Sequence, residues 1–222
     1  MSRKHTVGFT IIELMLAMSF VSVLLVSVAM LTIQISRQYT AGVTMKEVNQ
    51  AGTEISDDIR RTLAEAIVDQ VKFKKTTDVT VLCTGQYSYM ANNKPDSSSL
   101  TLNGETVRFI KIRDINGVYC NSPSTPITSA SATEMLGGDR SLVVQQFSLS
   151  PDDAATSTVG TALREDYDAG RMIYTVSLTI RTGATSEIVG NSCRPPSDVQ
   201  SGAEYCAIDT FSFVARVGNT VN

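Results

Sequence analysis

The chain has 222 residues, a formal net charge of −3, 42% hydrophobic and 18% charged residues, no Trp and one His. This suits one membrane helix joined to one ordinary soluble domain; no basic run with interleaved aromatics points to nucleic acid, and 6% aromatics offer little for an aromatic-lined sugar site. With its His at position 5 the chain has no Ser-His-Asp or Cys-His set, and it carries no P-loop or Gly-x-Gly-x-x-Gly run, so a non-enzymatic protein without a cofactor is expected.

The first residues, Met1 to Val7, are short and basic, with Arg3, Lys4 and His5. From Phe9 to Ile35 the only charge is Glu13. A helix rising about 1.5 Å per residue crosses an apolar core of about 30 Å in roughly 20 residues, so this run is long enough to span. Arg3 and Lys4 then stay on the cytoplasmic side and the rest of the chain goes out. No small-residue cleavage box follows the apolar stretch, so the helix is expected to remain in the mature protein. Glu13 is the odd residue, because a carboxylate at the centre of a membrane helix costs about 2.5–3.5 kcal/mol, less near an end. Either it snorkels to the headgroups or it awaits a positive charge.

The run Gly8-Phe9-Thr10-Ile11-Ile12-Glu13-Leu14 resembles the processing site of type IV prepilins and of the pseudopilins of type II secretion. The resemblance covers residues 1–60 and rests on a Gly, an aromatic and a lone Glu at fixed places before a long apolar helix. It implies cleavage after Gly8 by a prepilin peptidase that also N-methylates Phe9, and a role for Glu13 in assembly. The new α-amine of Phe9 is cationic at neutral pH and would neutralise Glu13 of a neighbouring subunit, making that carboxylate a register device. The implied layout is a leader over 1–8, a transmembrane and filament-core helix over 9–36, an amphipathic helix half over 37–70 and an extracytoplasmic β-rich head over 71–222. Implied partners are other pilin subunits, the peptidase/N-methyltransferase and an assembly platform in the membrane. The chain would be a single-pass membrane protein before assembly, then part of a cell-surface or periplasmic filament.

After Ser36 the helix is expected to continue, because Tyr39, Val43, Val48, Gly52, Ile55, Ile59, Thr62, Leu63 and Ala66 recur mostly at three- and four-residue steps. Glu47, Glu54, Asp57, Asp58, Arg60, Arg61 and Glu65 fall mostly elsewhere. No Pro interrupts up to Asp69, which predicts a helix of about 55–60 residues and about 85 Å. Met15, Met18, Met30 and Met45 read as packing and lipid contacts.

From Val71 short β runs take over. Val79 to Leu82 is a weak strand, and Leu100 to Leu102, Asn103-Gly104 and Thr106 to Ile112 read as a hairpin with a type I′ turn. Asn116-Gly117 offers another turn, and Asn121 to Ala132 reads as loop. Ser141 to Leu149, Met172 to Ile180 and Phe211 to Val217 are the clearest strands, the second with Met172, Tyr174, Val176, Leu178 and Ile180 on one face. Antiparallel strands packed on the amphipathic helix half make an α+β head.

All four cysteines (Cys83, Cys120, Cys193 and Cys206) follow the apolar helix, in what would be an oxidising compartment. Three pairings are open, and sequence proximity favours Cys83–Cys120 with Cys193–Cys206; the second also resembles the disulfide-closed loop near the C terminus of many pilins. The spacing suits no zinc ribbon. Asp152, Asp153, Glu165, Asp166 and Asp168 crowd the stretch from Ser150 to Arg171. Calcium takes about six to eight oxygens, but no pseudopilin calcium motif matches residue by residue, and a solvated loop with helix-capping acids is expected. Tyr87, Tyr89 and Asn92-Asn93-Lys94 are candidates for an adhesive patch. The tail from Phe211 to Asn219 and the large head loosely resemble W-type minor pilins and J-type minor pseudopilins. The expected function is therefore a minor pilin of a type IV pilus. The alternatives are a minor pseudopilin of type II secretion or a pilus-borne adhesin or DNA-capture subunit.

Overall fold

The computed structural model describes residues 10–94, 99–123, 126–127, 132–137, 142–151, 172–182, 187–195 and 205–218. Gly8, Phe9 and the acidic positions 152, 153, 165, 166 and 168 lie outside the described residues.

One long helix, α1 (Ile11–Ala64), runs for 54 residues, about 80 Å at the usual rise. It starts where it does because Thr10, with extended φ −78° and ψ 150°, caps it. It ends sooner than the spacing predicts. Ile67 is extended at φ −93° and ψ 139°, and a short 3-10 turn over Val68–Gln70 leads into the sheet. The reason is tertiary: Ala66 and Val68 are buried, and the Ala66 carbonyl accepts from Gly218 N–H at 3.3 Å instead of continuing the helical ladder.

The remaining elements are β1 (Val71–Lys75), β2 (Val79–Thr84), β3 (Tyr87–Asn92), β4 (Thr101–Leu102), β5 (Glu105–Thr106), β6 (Phe109–Arg113), α2 (Val118–Asn121), β7 (Ala132–Glu134), β8 (Leu142–Ser150), β9 (Met172–Thr182), β10 (Ile188–Val189), β11 (Ser192–Cys193) and β12 (Ile208–Val217). Two antiparallel sheets dominate, one ordered β1-β2-β3-β6-β7 and one ordered β12-β9-β8. One long apolar helix followed by antiparallel sheets is an α+β fold.

The expected helix face is the buried one, with a shifted start. Thr44, Val48, Gly52, Ile55, Ser56, Ile59, Thr62 and Leu63 are buried, whereas Tyr39 is 73% exposed, so the head takes hold of α1 about a turn later than the periodicity suggests. This face meets the inner side of β9 and β12, where Tyr174, Val176, Leu178, Phe213 and Ala215 join Leu82, Tyr89 and Phe109 in a first core. The opposite side of the five-stranded sheet forms a second core, in which Val81, Cys83, Met90, Ile110 and Ile112 pack on Leu100, Val107, Cys120 and Ile127.

Asn103 and Gly104 take φ of 53° and 88°, as a type I′ turn requires. The strand after it does not run on to Ile112 as expected. Val107 turns back to donate its N–H to Leu100 O at 3.0 Å and buries its side chain in the second core, so β6 starts afresh at Phe109 in the larger sheet. After Gly117 (φ 64°) comes α2, set by the buried Asp114 carboxylate. It accepts from the N–H groups of Val118, Tyr119 and Cys120 at 2.7, 3.1 and 3.0 Å and from the Ser88 hydroxyl at 2.8 Å.

At Gly52 the helix touches β12 so closely that a Cβ would overlap the Phe211 ring. Gly52→Ala is expected to destabilise the head by about 2 kcal/mol through overpacking, despite the better helix propensity of Ala. Chemical denaturation of the full chain in detergent checks this; a stabilised variant would show that Phe211 swings away freely.

Candidate functional site

The feature that stands apart from a normal folded domain is the first half of α1. Every residue from Ile11 to Tyr39 is exposed, and the segment is long and apolar enough to cross a membrane. Phe20, Val21, Val23, Leu24, Leu25 and Val26 all stand more than half exposed, and at about 100° per residue they point all round the helix. A soluble surface does not present an apolar cylinder of this kind.

Its polar atoms are handled as an apolar surrounding demands. Ser19 donates to Leu16 O at 2.9 Å, Ser22 to Met18 O at 2.8 Å, Ser27 to Val23 O at 2.9 Å and Thr32 to Val28 O at 2.9 Å. Each hydroxyl is thus satisfied inside its own helix, with no need of water. Glu13 is held the same way. Its Oε2 accepts from Thr10 N–H at 3.4 Å and Thr10 Oγ1 at 3.3 Å, while its own N–H donates to Thr10 Oγ1 at 3.3 Å. This is a capping box, and a carboxylate in the first turn also suits the helix dipole.

Further along, α1 is locked to the head by a cluster that the sequence did not reveal. Lys111 Nζ lies 2.8 Å from Asp58 Oδ2, Arg61 Nη2 lies 2.7 Å from Asp58 Oδ1, and the Tyr89 hydroxyl donates to Asp58 Oδ2 at 2.8 Å. Thr62 Oγ1 shares a hydrogen bond with the same Tyr89 hydroxyl at 2.9 Å. Lys111 also stands 4.3 Å from the Tyr87 ring centre. Asp58 and Lys111 are 53 positions apart, and no spacing rule joins them.

Burial pushes the Asp58 carboxyl up, but the hydrogen bonds from Lys111, Tyr89 and Arg61 and the Lys111 charge outweigh it and hold the group below its ordinary value. Burial, together with the Asp58 charge, pushes the Tyr89 hydroxyl far up, so it stays a donor. A carboxyl depressed on folding stabilises the fold above its unfolded value of about 3.9, and this is lost as pH falls through the lower folded value. Lys111→Met is therefore expected to cost about 2 kcal/mol near neutral pH, discounted for the cluster's part exposure. The gap to the parent chain should close below about pH 4. Denaturation at several pH values measures it; a gap of constant size would remove the linkage.

Cys83 pairs with Cys120 and Cys193 with Cys206, with Cα separations of 5.9 and 5.8 Å. The candidate adhesive patch is only partly at the surface, with Asn93 and Lys94 exposed and Tyr87 half-buried. Tyr89 and Asn92 are buried because β3 lies in the middle of the five-stranded sheet, and Lys94 is paired with Asp78 at 2.7 Å. Among the described residues no group of His, Cys, Asp and Glu converges to hold a metal ion. No family model, curated protein or solved structure matches the chain.

Proposed function

We propose that this chain is a minor pilin, a structural subunit of a type IV pilus. It is cleaved after Gly8 by a prepilin peptidase, N-methylated on Phe9 and built in through the surface from Leu14 to Ile35. The observation that carries this reading is the division of α1. One unbroken helix is apolar and bare around its whole circumference over its first half and packed into a disulfide-linked head over its second. A bare apolar helix needs lipid before assembly and other helices after it, and a subunit that passes from membrane to filament meets both. The prepilin-like run from Gly8 to Leu14 supports the same reading, and Glu13 supplies the carboxylate for the Phe9 amine of a neighbouring subunit.

Mass spectrometry of sheared surface filaments tests it. The expected result is an N-methylated Phe9 terminus at trace stoichiometry, lost from the filament in Glu13→Val while membrane insertion is kept. A processed chain that stays in the envelope and out of surface filaments would instead indicate a minor pseudopilin of a secretion system. A chain retaining Met1 to Gly8 would be a simple membrane anchor, and the reading would fall. The adhesin alternative keeps Tyr87, Asn93 and Lys94 at or near the surface, while Tyr89 and Asn92 are buried.

A further inference from the structure

Among the described residues the two main sheets end in four strand edges, and three of them carry a device against pairing with another chain. β1 has Lys72, Lys74 and Lys75 among five residues, β7 is three residues long, and β8 breaks register between Val144 and Gln146. β12 has none of these. It pairs with β9 without interruption from Ile208 to Val217, contains neither Pro nor Lys, and has no charge from Thr210 to Ala215.

The hydrogen bonds show which of its main-chain groups point outward. Thr182 N–H donates to Ala207 O at 3.0 Å, which with the observed register assigns the odd-numbered residues of β12 to the ladder with β9. The even-numbered ones face the other way. Thr210 N–H turns to Asp209 Oδ1 at 2.7 Å, and Gly218 N–H goes to Ala66 O at 3.3 Å. Ser212, Val214 and Arg216 lie between these two points with exposed side chains, Val214 at 60%. α1 covers the inner face instead, with Gly52 under Phe211 and Arg60 5.0 Å from the Phe213 ring centre.

We propose that the outer edge of β12 is a docking site for an extended segment of another polypeptide. That segment adds a fourth, antiparallel strand through the main chain of Ser212, Val214 and Arg216. Backbone hydrogen bonding supplies the attraction, and the exposed side chains select the partner: a β-branched residue beside Val214, and an acid facing Arg216. A second copy is a poorer occupant. Contacts of Gly52, Arg60 and Ala66 with Phe211, Phe213 and Gly218 in turn show that β12 runs in the direction of α1. Two copies standing in one membrane by their helices would present β12 in the parallel sense, the less stable ladder. A strand from a different chain is free to run antiparallel. The edge uses nothing in the first half of α1, so failed processing at Gly8 would leave it standing.

The test places a photo-crosslinking benzoylphenylalanine at position 212, 214 or 216 of the full chain, in cells that make the protein from their own genome. Position 146 on β8 serves for comparison. The expected result is adducts on a single partner segment, with the attachment point moving two residues back for each two-residue advance along β12. Val214→Pro deletes one outward N–H while sparing the β9 ladder and should lower the adduct at 212 about tenfold. Ser212→Pro, read at 216, is the second variant should Val214→Pro fail to accumulate. Adducts without the two-residue step, adducts on β12 of a second copy, yields no higher than at 146, or proline variants with unchanged yield would each overturn the proposal.

Discussion

Replacing Cys83 and Cys120 by Ala is expected to lower the stability of the head by about 4 kcal/mol, the largest loss from any substitution considered. The bond spans 37 positions, so its removal returns much conformational freedom to the unfolded chain. Both side chains are buried in the second core. Cys120 sits on a helix of only four residues, too short to persist unaided, and what else fastens it is the Asp114 carboxylate together with the packing of Tyr119 on the second core. Releasing the bond therefore loosens the cover of one whole sheet face. Cys193–Cys206 spans only 13 positions and should matter less, by about 1 kcal/mol on the same loop-length argument. Urea denaturation of the full chain in detergent measures both. A loss below 1 kcal/mol for the first pair would mean that packing alone holds α2 in place.

The second large effect belongs to the exposed apolar half of α1. Leu24 is more than half exposed near the middle of the apolar run, and Leu24→Arg should shift the insertion balance by about 3–4 kcal/mol. The variant is expected to become partly extractable from membranes by alkaline carbonate, and Leu24→Arg/Leu25→Arg largely so. Glu54→Arg, on the exposed side of the head half, should extract no more than the parent. If both arginine variants stay as firmly embedded as the parent chain, the exposed half of α1 is not lying in hydrocarbon.

Elements whose pattern is one-sided were legible from the residues alone. α1 shows its two halves through the loss and return of charge. β9 shows strict alternation because its inner face is core and its outer face is solvent. The two disulfides followed from proximity, and the Asn103-Gly104 turn from its chemistry. β3 was missed for a physical reason. Tyr87-Ser88-Tyr89-Met90-Ala91-Asn92 is covered on both sides, Tyr89 and Ala91 in one core and Met90 in the other, so no polar and apolar alternation survives. Its polar members look like loop residues until their partners are known: Ser88 donates to Asp114 at 2.8 Å and Asn92 Nδ2 to Val107 O at 3.2 Å. The Asp58–Lys111–Tyr89 cluster was hidden likewise, because it joins α1 to two strands at a distance along the chain and takes its character from burial. Thr10 and Glu13 stand three apart and do spell a capping box, legible from the residues alone.

One consequence follows from α1 running without interruption through the stretch between its exposed apolar half and the head. Residues 36–43 include Gly42, beside which a Cβ would meet open space, and nothing there breaks the helix. A helix turns about 100° per residue, so the azimuth of the head about the rod is set by the number of residues in that stretch. Deleting one would swing the whole head through more than a quarter of a circle while moving it only about 1.5 Å along the axis. Which flank the head offers to its neighbours is thus decided by counting, the way a cam is keyed to its shaft.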